Sequence, residues 1–266
     1  MNQPPIPVVM SIAGNDPTGG AGLQADIEAI TSMGCHACPV VAAITVQDTH
    51  DVQALEPLPA SLVVSQARAV LEDMPVHAIK LGLLGSVEII QAVHTLLTDY
   101  PQLPMVLDPV LAAGGGAALA DEAIIDAMCT LLLPLATVIT PNSQEARRLA
   151  PGSDTLDACA MALLDQGAEF VLITGAHENT PQVHNTLYAN NRQLERFSWE
   201  RLEGSYHGSG CTLASAIAGL LAQGQEPLTA IHEAQEYTWQ TLAHGYRLGM
   251  GQQLPNRLFW AEAEEE

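Results

Sequence analysis

Short apolar runs of Val, Ile and Leu alternate along this chain with stretches of helical periodicity, and that alternation leaves few folds open. The runs 8–12, 39–46, 78–81, 105–107, 137–139 and 170–173 read as strands buried on both faces. Helices are expected near 21–33 and over 60–74, 87–99, 120–133 and 156–166, with two more closing the chain at 209–223 and 227–246. Continuous rather than alternating hydrophobicity in the strands belongs to parallel sheets covered by helices, and strand–helix alternation builds βαβ units. Segments 183–188 and 193–197 flank Asn190-Asn191, which reads as a hairpin turn. The chain is therefore expected to be α/β, a three-layer fold with a mostly parallel central sheet and helices on both faces. One domain is expected over residues 1–266, with flexible ends at 1–6 and 262–266. Ligands of such sheets bind beyond the carboxyl ends of the strands, and Gly14, Gln47, Asp108, Asn142, Thr174 and the Gly208 turn all follow strand segments.

Three of those places carry chemistry. Gly208-Ser209-Gly210-Cys211-Thr212 leads straight into an apolar helical run. Glycines let the backbone approach a ligand closely, and a helix N-terminus offers unpaired N–H groups and positive potential to a phosphoryl group. Cys211 at that helix start is expected to have a lowered thiol pKa; the competing reading makes it a small core residue. The second motif runs from Ser11 to Asp26 as SIAGNDPTGGAGLQAD, a strand, a glycine-rich turn and a helix. It contains neither the Walker spacing nor a spaced G-x-G-x-x-G. The third, Thr140-Pro141-Asn142-Ser143-Gln144-Glu145, places an amide and a carboxylate on one face of a helix start. Such oxygens suit Mg²⁺, directly or through water, or simply cap the helix.

Together the motifs resemble the hydroxymethylpyrimidine/phosphomethylpyrimidine kinases of the ribokinase-like superfamily, over about residues 7–251. The second motif, Ser11 to Asp26, resembles that family's A-G-x-D-P-[ST]-G-G-A-G-x-Q-A-D signature. Cys211 stands where most ribokinase-like enzymes carry Asp and these pyrimidine kinases carry Cys. Val46-Gln47-Asp48-Thr49, Lys80-Leu81-Gly82-Leu83-Leu84 and Asp108-Pro109-Val110 are similar to further family segments. The resemblance implies ATP-dependent phosphorylation of 4-amino-5-hydroxymethyl-2-methylpyrimidine, and of its monophosphate, in thiamine biosynthesis. It implies that Gly14, Asp26 and Gln47 bind the aminopyrimidine. Gly208, Ser209, Gly210 and Cys211 would serve catalysis, with Cys211 either taking the hydroxymethyl proton or orienting the hydroxyl. Asp108, Thr140, Asn142 and Thr174 would contact ATP, and Glu145 with Asn142 would hold Mg²⁺. A pyridoxal-type kinase and a non-catalytic pyrimidine-binding regulator are the alternatives.

The chain departs from the family pattern at three places. Thr174-Gly175-Ala176-His177 stands where relatives often have K-G-G-H, which removes a phosphate-contacting lysine. Leu111-Ala112-Ala113-Gly114-Gly115-Gly116 replaces a K-S-G or T-S-G type loop, and Asn15-Asp16-Pro17 replaces T-D-P.

Charge narrows the partners. The formal net charge is −21, from 30 Asp and Glu against only nine Lys and Arg, and Lys80 is the sole lysine. Such a surface argues against nucleic acid or anionic membrane as a partner. Small molecules, an aminopyrimidine and ATP, are expected instead, with a homodimer implied by the resemblance. Five scattered cysteines form no disulfide framework, and Cys35-His36-Ala37-Cys38 lacks the second pair a zinc site needs. With no signal peptide or long apolar span in the sequence, a cytoplasmic location is expected.

Overall fold

A computed structural model describes residues 5–261; of the flexible ends expected at 1–6 and 262–266, residues 1–4 and 262–266 lie outside the described residues. Among the described residues nine strands form one sheet in the order β3-β2-β1-β4-β5-β6-β7-β8-β9. They are β1 (Val8–Asn15), β2 (His36–Gln47), β3 (Val52–Pro57), β4 (Val76–Leu81), β5 (Met105–Leu107), β6 (Val138–Ile139), β7 (Phe170–Ile173), β8 (Gln182–Ala189) and β9 (Arg192–Glu200). The six strands from β2 to β7 across the middle pair in parallel. Antiparallel β3 closes one edge and the β8–β9 hairpin the other. That hairpin turns on Asn190 and Asn191 at φ 51° and 53°, the left-handed pair that a tight turn between right-twisted strands requires.

The helices are α1 (Gly22–Ser32), α2 (Ala60–Asp73), α3 (Val87–Leu97), α4 (Glu122–Ala127), α5 (Ser143–Leu149), α6 (Leu156–Asp165), α7 (Ser209–Ala222) and α8 (Pro227–Ala243). Their apolar faces cover the sheet on both sides. Met10, Ile12, Ile79, Leu107 and Val171 point into a core shared with α2, α3 and α6. Val9, Ala78, Val106, Val138 and Leu172 point the other way, into a core with α1, α7 and α8. The alternation of these residues along each strand is the period of the pleat. α7 is buried continuously from Thr212 to Ala222, because it lies between the sheet, α1 and α8 rather than on the surface.

Two details differ from the sequence reading. Strand β3, six residues with no buried position, had no hydrophobic signal to betray it. The helix expected over 120–133 is instead α4 followed by a π turn at Met128–Leu132 and a 3-10 turn at Leu133–Leu135. Pro134, which has no N–H to continue an α-helical ladder, lies in that last turn.

Candidate active site

The carboxyl ends of the parallel strands deliver the chemistry to one edge of the sheet. β1 ends in a register shift at Ala13/Gly14, a bulge that bends the chain out of the sheet toward the glycine turn. Two glycines there are required by contact. Gly22, at φ 57°, opens α1 against the Gly14 carbonyl, where a Cβ would stand 2.3 Å from that oxygen. Gly208, at φ 79°, caps α7, and a Cβ on it would lie 1.9 Å from the Gly20 carbonyl oxygen. The two glycine-rich motifs therefore touch, backbone to backbone, and the N-terminus of α7 is set by the turn at Gly19-Gly20.

Asp16 locks this junction. Its carboxylate accepts from the Thr18 and Ala21 amides, both at 2.8 Å, and from Nε2 of His207 at 2.7 Å. Burial opposes its ionisation, but the bonds from His207, Gln47 and Thr18 win and hold it well below the usual carboxylate range. Gln47, at the end of β2, also approaches His207, Nε2 to Nε2 at 3.4 Å. Since Asp16 is an acceptor, both side chains turn a donor to it, which leaves the Gln47 carbonyl oxygen for a ligand N–H. Neither Asp16 nor His207 is among the site residues expected from the sequence; the only signals are a charged residue inside the Ser11–Asp26 motif and a histidine adjoining the Gly208 turn.

Behind the glycine turns lies a buried ionic cluster. Lys80 on β4 is 0% exposed, with Nζ 2.9 Å from Asp26 and 3.4 Å from Asp108. Burial works against its charge, but the Asp26 and Asp108 carboxylates more than offset that and hold it ammonium. Asp26 also accepts from Ser11 and Ser215, each at 2.6 Å. This corrects the expectation that Asp26 touches an aminopyrimidine: its side chain is fully enclosed and both oxygens are engaged. Its position joins α1, β1, β4 and α7 from inside.

Cys211, in the first turn of α7, faces Asp108, and Asp108 Oδ1 would be 3.8 Å from a Cβ on Gly210. The helix start does not lower the thiol. Burial pushes it well above its ordinary range, the Asp108 carboxylate adds to this, and Lys80 only partly opposes them. Beside the Asp108 carboxylate the thiol stays protonated at neutral pH, which corrects the expected direction. Ser209 and Gly210 follow Gly208 as the first residues of α7 and bring their amides to the same edge.

On the far side of Asp108, Asn142 and Glu145 form a capping box. Asn142 Oδ1 accepts from the Gln144 and Glu145 amides at 2.9 Å, and Glu145 Oε2 accepts from the Asn142 amide at 2.9 Å. Asn142 Oδ1 thus has a structural task, so its use as a direct Mg²⁺ ligand is not what the structure shows. Glu145 differs: burial first, then Asp108, raise its carboxyl to about 8, although the Asn142 and Leu111 amides pull it down. Thr140, just past β6, has a buried hydroxyl without a hydrogen-bond partner. Thr174, just past β7, is half-buried, and its backbone pairs with Pro141 and Ser143. Among the described residues no group of three His, Cys, Asp or Glu is placed to hold a metal. Asp108, whose Oδ2 has Lys80 as its ion-pair partner but no hydrogen bond, and Glu145 are the carboxyl groups on this side that a divalent cation would use. Mg²⁺ commonly takes one or two carboxylates and completes its shell with water and phosphate oxygens.

Loops close over this edge. Gly114 packs on Gln252, Gly115 on His50 and Asp51, and the Gly251 and Gln252 amides donate to Thr49. Gln47 and His207 line the crevice beneath them. Where the family lysine is missing, Arg201 instead donates to the carbonyls of Ala176, Glu178 and Thr180 and fixes that loop. No helix among the described residues is long and apolar enough to cross a membrane.

Comparison with known proteins adds an independent line. A family described as phosphomethylpyrimidine kinase matches residues 16–256. A hydroxymethylpyrimidine/phosphomethylpyrimidine kinase of Streptomyces coelicolor is 37% identical over 255 residues, covering 93% of this chain and 94% of that protein. A thiamine biosynthesis bifunctional protein of Geobacter sulfurreducens is 37% identical over 259 residues, 96% of this chain but only 53% of that protein. Among solved structures, a Staphylococcus aureus pyridoxal kinase in complex with AMP-PCP and pyridoxal aligns at TM-score 0.89 with 27% identity, over 98% of this chain and 97% of that one. A phosphomethylpyrimidine kinase from Clostridium difficile aligns at TM-score 0.76 with 32% identity, over 88% and 99%.

Proposed function

Because this chain belongs to the phosphomethylpyrimidine kinase family, we propose that it transfers the γ-phosphoryl group of ATP to the hydroxymethyl oxygen of 4-amino-5-hydroxymethyl-2-methylpyrimidine, and then to the phosphate of the product. The observation that carries this reading is the seating of Gln47, with its carbonyl oxygen free, beside the α7 N-terminus that Gly208 caps. The first suits a ring bearing an exocyclic amine; the second suits a phosphoryl group.

Phosphoryl transfer proceeds through a loose transition state with charge on the equatorial oxygens, so positioning and electrostatics dominate. The Ser209, Gly210 and Cys211 amides supply donors for those oxygens. The Cys211 thiol, protonated beside Asp108, orients the acceptor hydroxyl rather than ionising ahead of it. Thr140 offers a free hydroxyl on the nucleotide side. Glu145 and Asp108 would hold Mg²⁺, which when bound neutralises phosphate charge.

Pyridoxal is the second acceptor to test, since the chain aligns more completely with the pyridoxal kinase structure than with the Clostridium kinase. The deciding experiment measures ADP release with Mg²⁺ and ATP in the presence of hydroxymethylpyrimidine, its monophosphate or pyridoxal, and follows the product by mass. Transfer to the hydroxymethylpyrimidine is expected. A folded sample that phosphorylates only pyridoxal, or nothing, would overturn the reading.

A further inference from the structure

Arg257 lies one residue beyond the family match, which ends at Asn256, and it has no part in the site described so far. It is a guanidinium only 2% exposed. Burying such a charge is expensive unless every donor is used, and here the donors converge on the active-site turns. Nε donates to Thr212 Oγ1 at 2.8 Å, in the first turn of α7 next to Cys211. One terminal nitrogen reaches Glu28 on α1 at 3.0 Å and the Gly19 carbonyl at 3.4 Å. The other donates to the Gly20 carbonyl. That Gly20 oxygen is the one against which Gly208 packs. The Arg257 carbonyl is itself anchored by Ser32 at 2.7 Å and Tyr237 at 2.9 Å.

We propose that Arg257 is a positioning residue for phosphoryl transfer: it clamps the Gly19-Gly20 turn against the N-terminus of α7 and so fixes where the Ser209–Cys211 amides point relative to the acceptor. The inference rests on the kinase reaction proposed above. The planar fork matters as much as the charge, because three elements are gripped in fixed directions, which an ammonium does not reproduce. A displacement of about 1 Å between reacting groups costs on the order of 10²-fold in rate.

The test compares wild type with Arg257→Met, Arg257→Lys and Glu28→Gln. It reads kcat and KM for acceptor and ATP, melting temperature, and amide hydrogen exchange over residues 19–22 and 208–212. Arg257→Met is expected to lower kcat at least ~10-fold with acceptor KM nearly unchanged, and to speed exchange in both segments. The lysine variant should recover only part of the rate, and Glu28→Gln should lose less in the same direction. A lower melting temperature with unchanged kcat per folded molecule and unchanged exchange would make Arg257 purely structural and overturn the proposal. Should Arg257→Met not fold, unchanged kcat and exchange in the other two variants overturn it equally. If wild type shows no acceptor-dependent turnover, the proposed reaction fails, and the exchange data alone decide whether the clamp exists.

Discussion

Replacing Lys80 by Met keeps the length and most of the volume of the side chain but removes the cation from a cluster it shares with Asp26 and Asp108. Lys80 and Asp26 are 0% exposed and Asp108 only 5%, so the carboxylates that the lysine leaves behind stay largely shielded from solvent. Two partners of Asp26, Ser11 and Ser215, remain in place, yet neutral hydroxyls do not cancel its charge. Removing one member of a buried pair costs about 3–5 kcal/mol, whereas a volume-conserving apolar swap costs under about 1.5 kcal/mol. The two cases separate cleanly. With a urea m-value near 3 kcal/mol/M, the upper end for small proteins, the expected loss moves the denaturation midpoint down by about 1–1.7 M. The assay is urea unfolding followed by circular dichroism. Adding Asp26→Asn to Lys80→Met should restore at least half the loss, because the pair then leaves with both partners. A midpoint shift below about 0.5 M for Lys80→Met, no more than a volume-conserving apolar swap gives at that slope, would refute the claim that Lys80 compensates buried carboxylates.

The remaining predictions concern the same edge of the sheet. Glu145 has its folded pKa raised to about 8, so the folded state binds a proton that the unfolded state releases near the ordinary glutamate value. Its contribution to stability is full below that lower value and is lost as pH rises through about 8. Glu145→Gln should therefore flatten the fall in melting temperature across that window, and Mg²⁺ should stabilise wild type more at the alkaline end than at the acid end, since a ligand carboxyl must be deprotonated. Cys211 should alkylate with iodoacetamide more slowly at pH 8 than a free thiol, and Asp108→Asn should speed it by removing the adjacent charge; labelling is read by peptide mass, and equal rates in the two proteins would contradict the pairing. Gln47→Ala should raise acceptor KM about 2–10-fold, the loss of one neutral hydrogen bond of about 0.5–1.5 kcal/mol, with ATP KM unchanged in the same steady-state assay.

The sequence alone determined the layered α/β architecture, because continuous Val, Ile and Leu in strands and a 3.6-residue period between them are local properties. It also located the candidate ligand-binding edge, since glycine turns and polar residues sit at or beyond strand ends at Gly14, Gln47, Asp108, Thr140, Thr174 and Gly208. Strand β3 was invisible because an exposed edge strand carries no apolar alternation. What each site residue does there was decided by tertiary contacts between residues far apart in the chain. Asp26 looked like a ligand-facing carboxylate until Lys80, 54 positions on, and Ser215, 189 positions on, enclosed it. Cys211 looked activated by its helix, a local effect, until Asp108 and burial reversed the sign. The Asp16–His207 bond and the Arg257 clamp span 191 and up to 238 positions, and periodicity has no term for such distances. Charge and burial combine in space, so the protonation and orientation of these groups follow from the fold rather than from any segment of the chain.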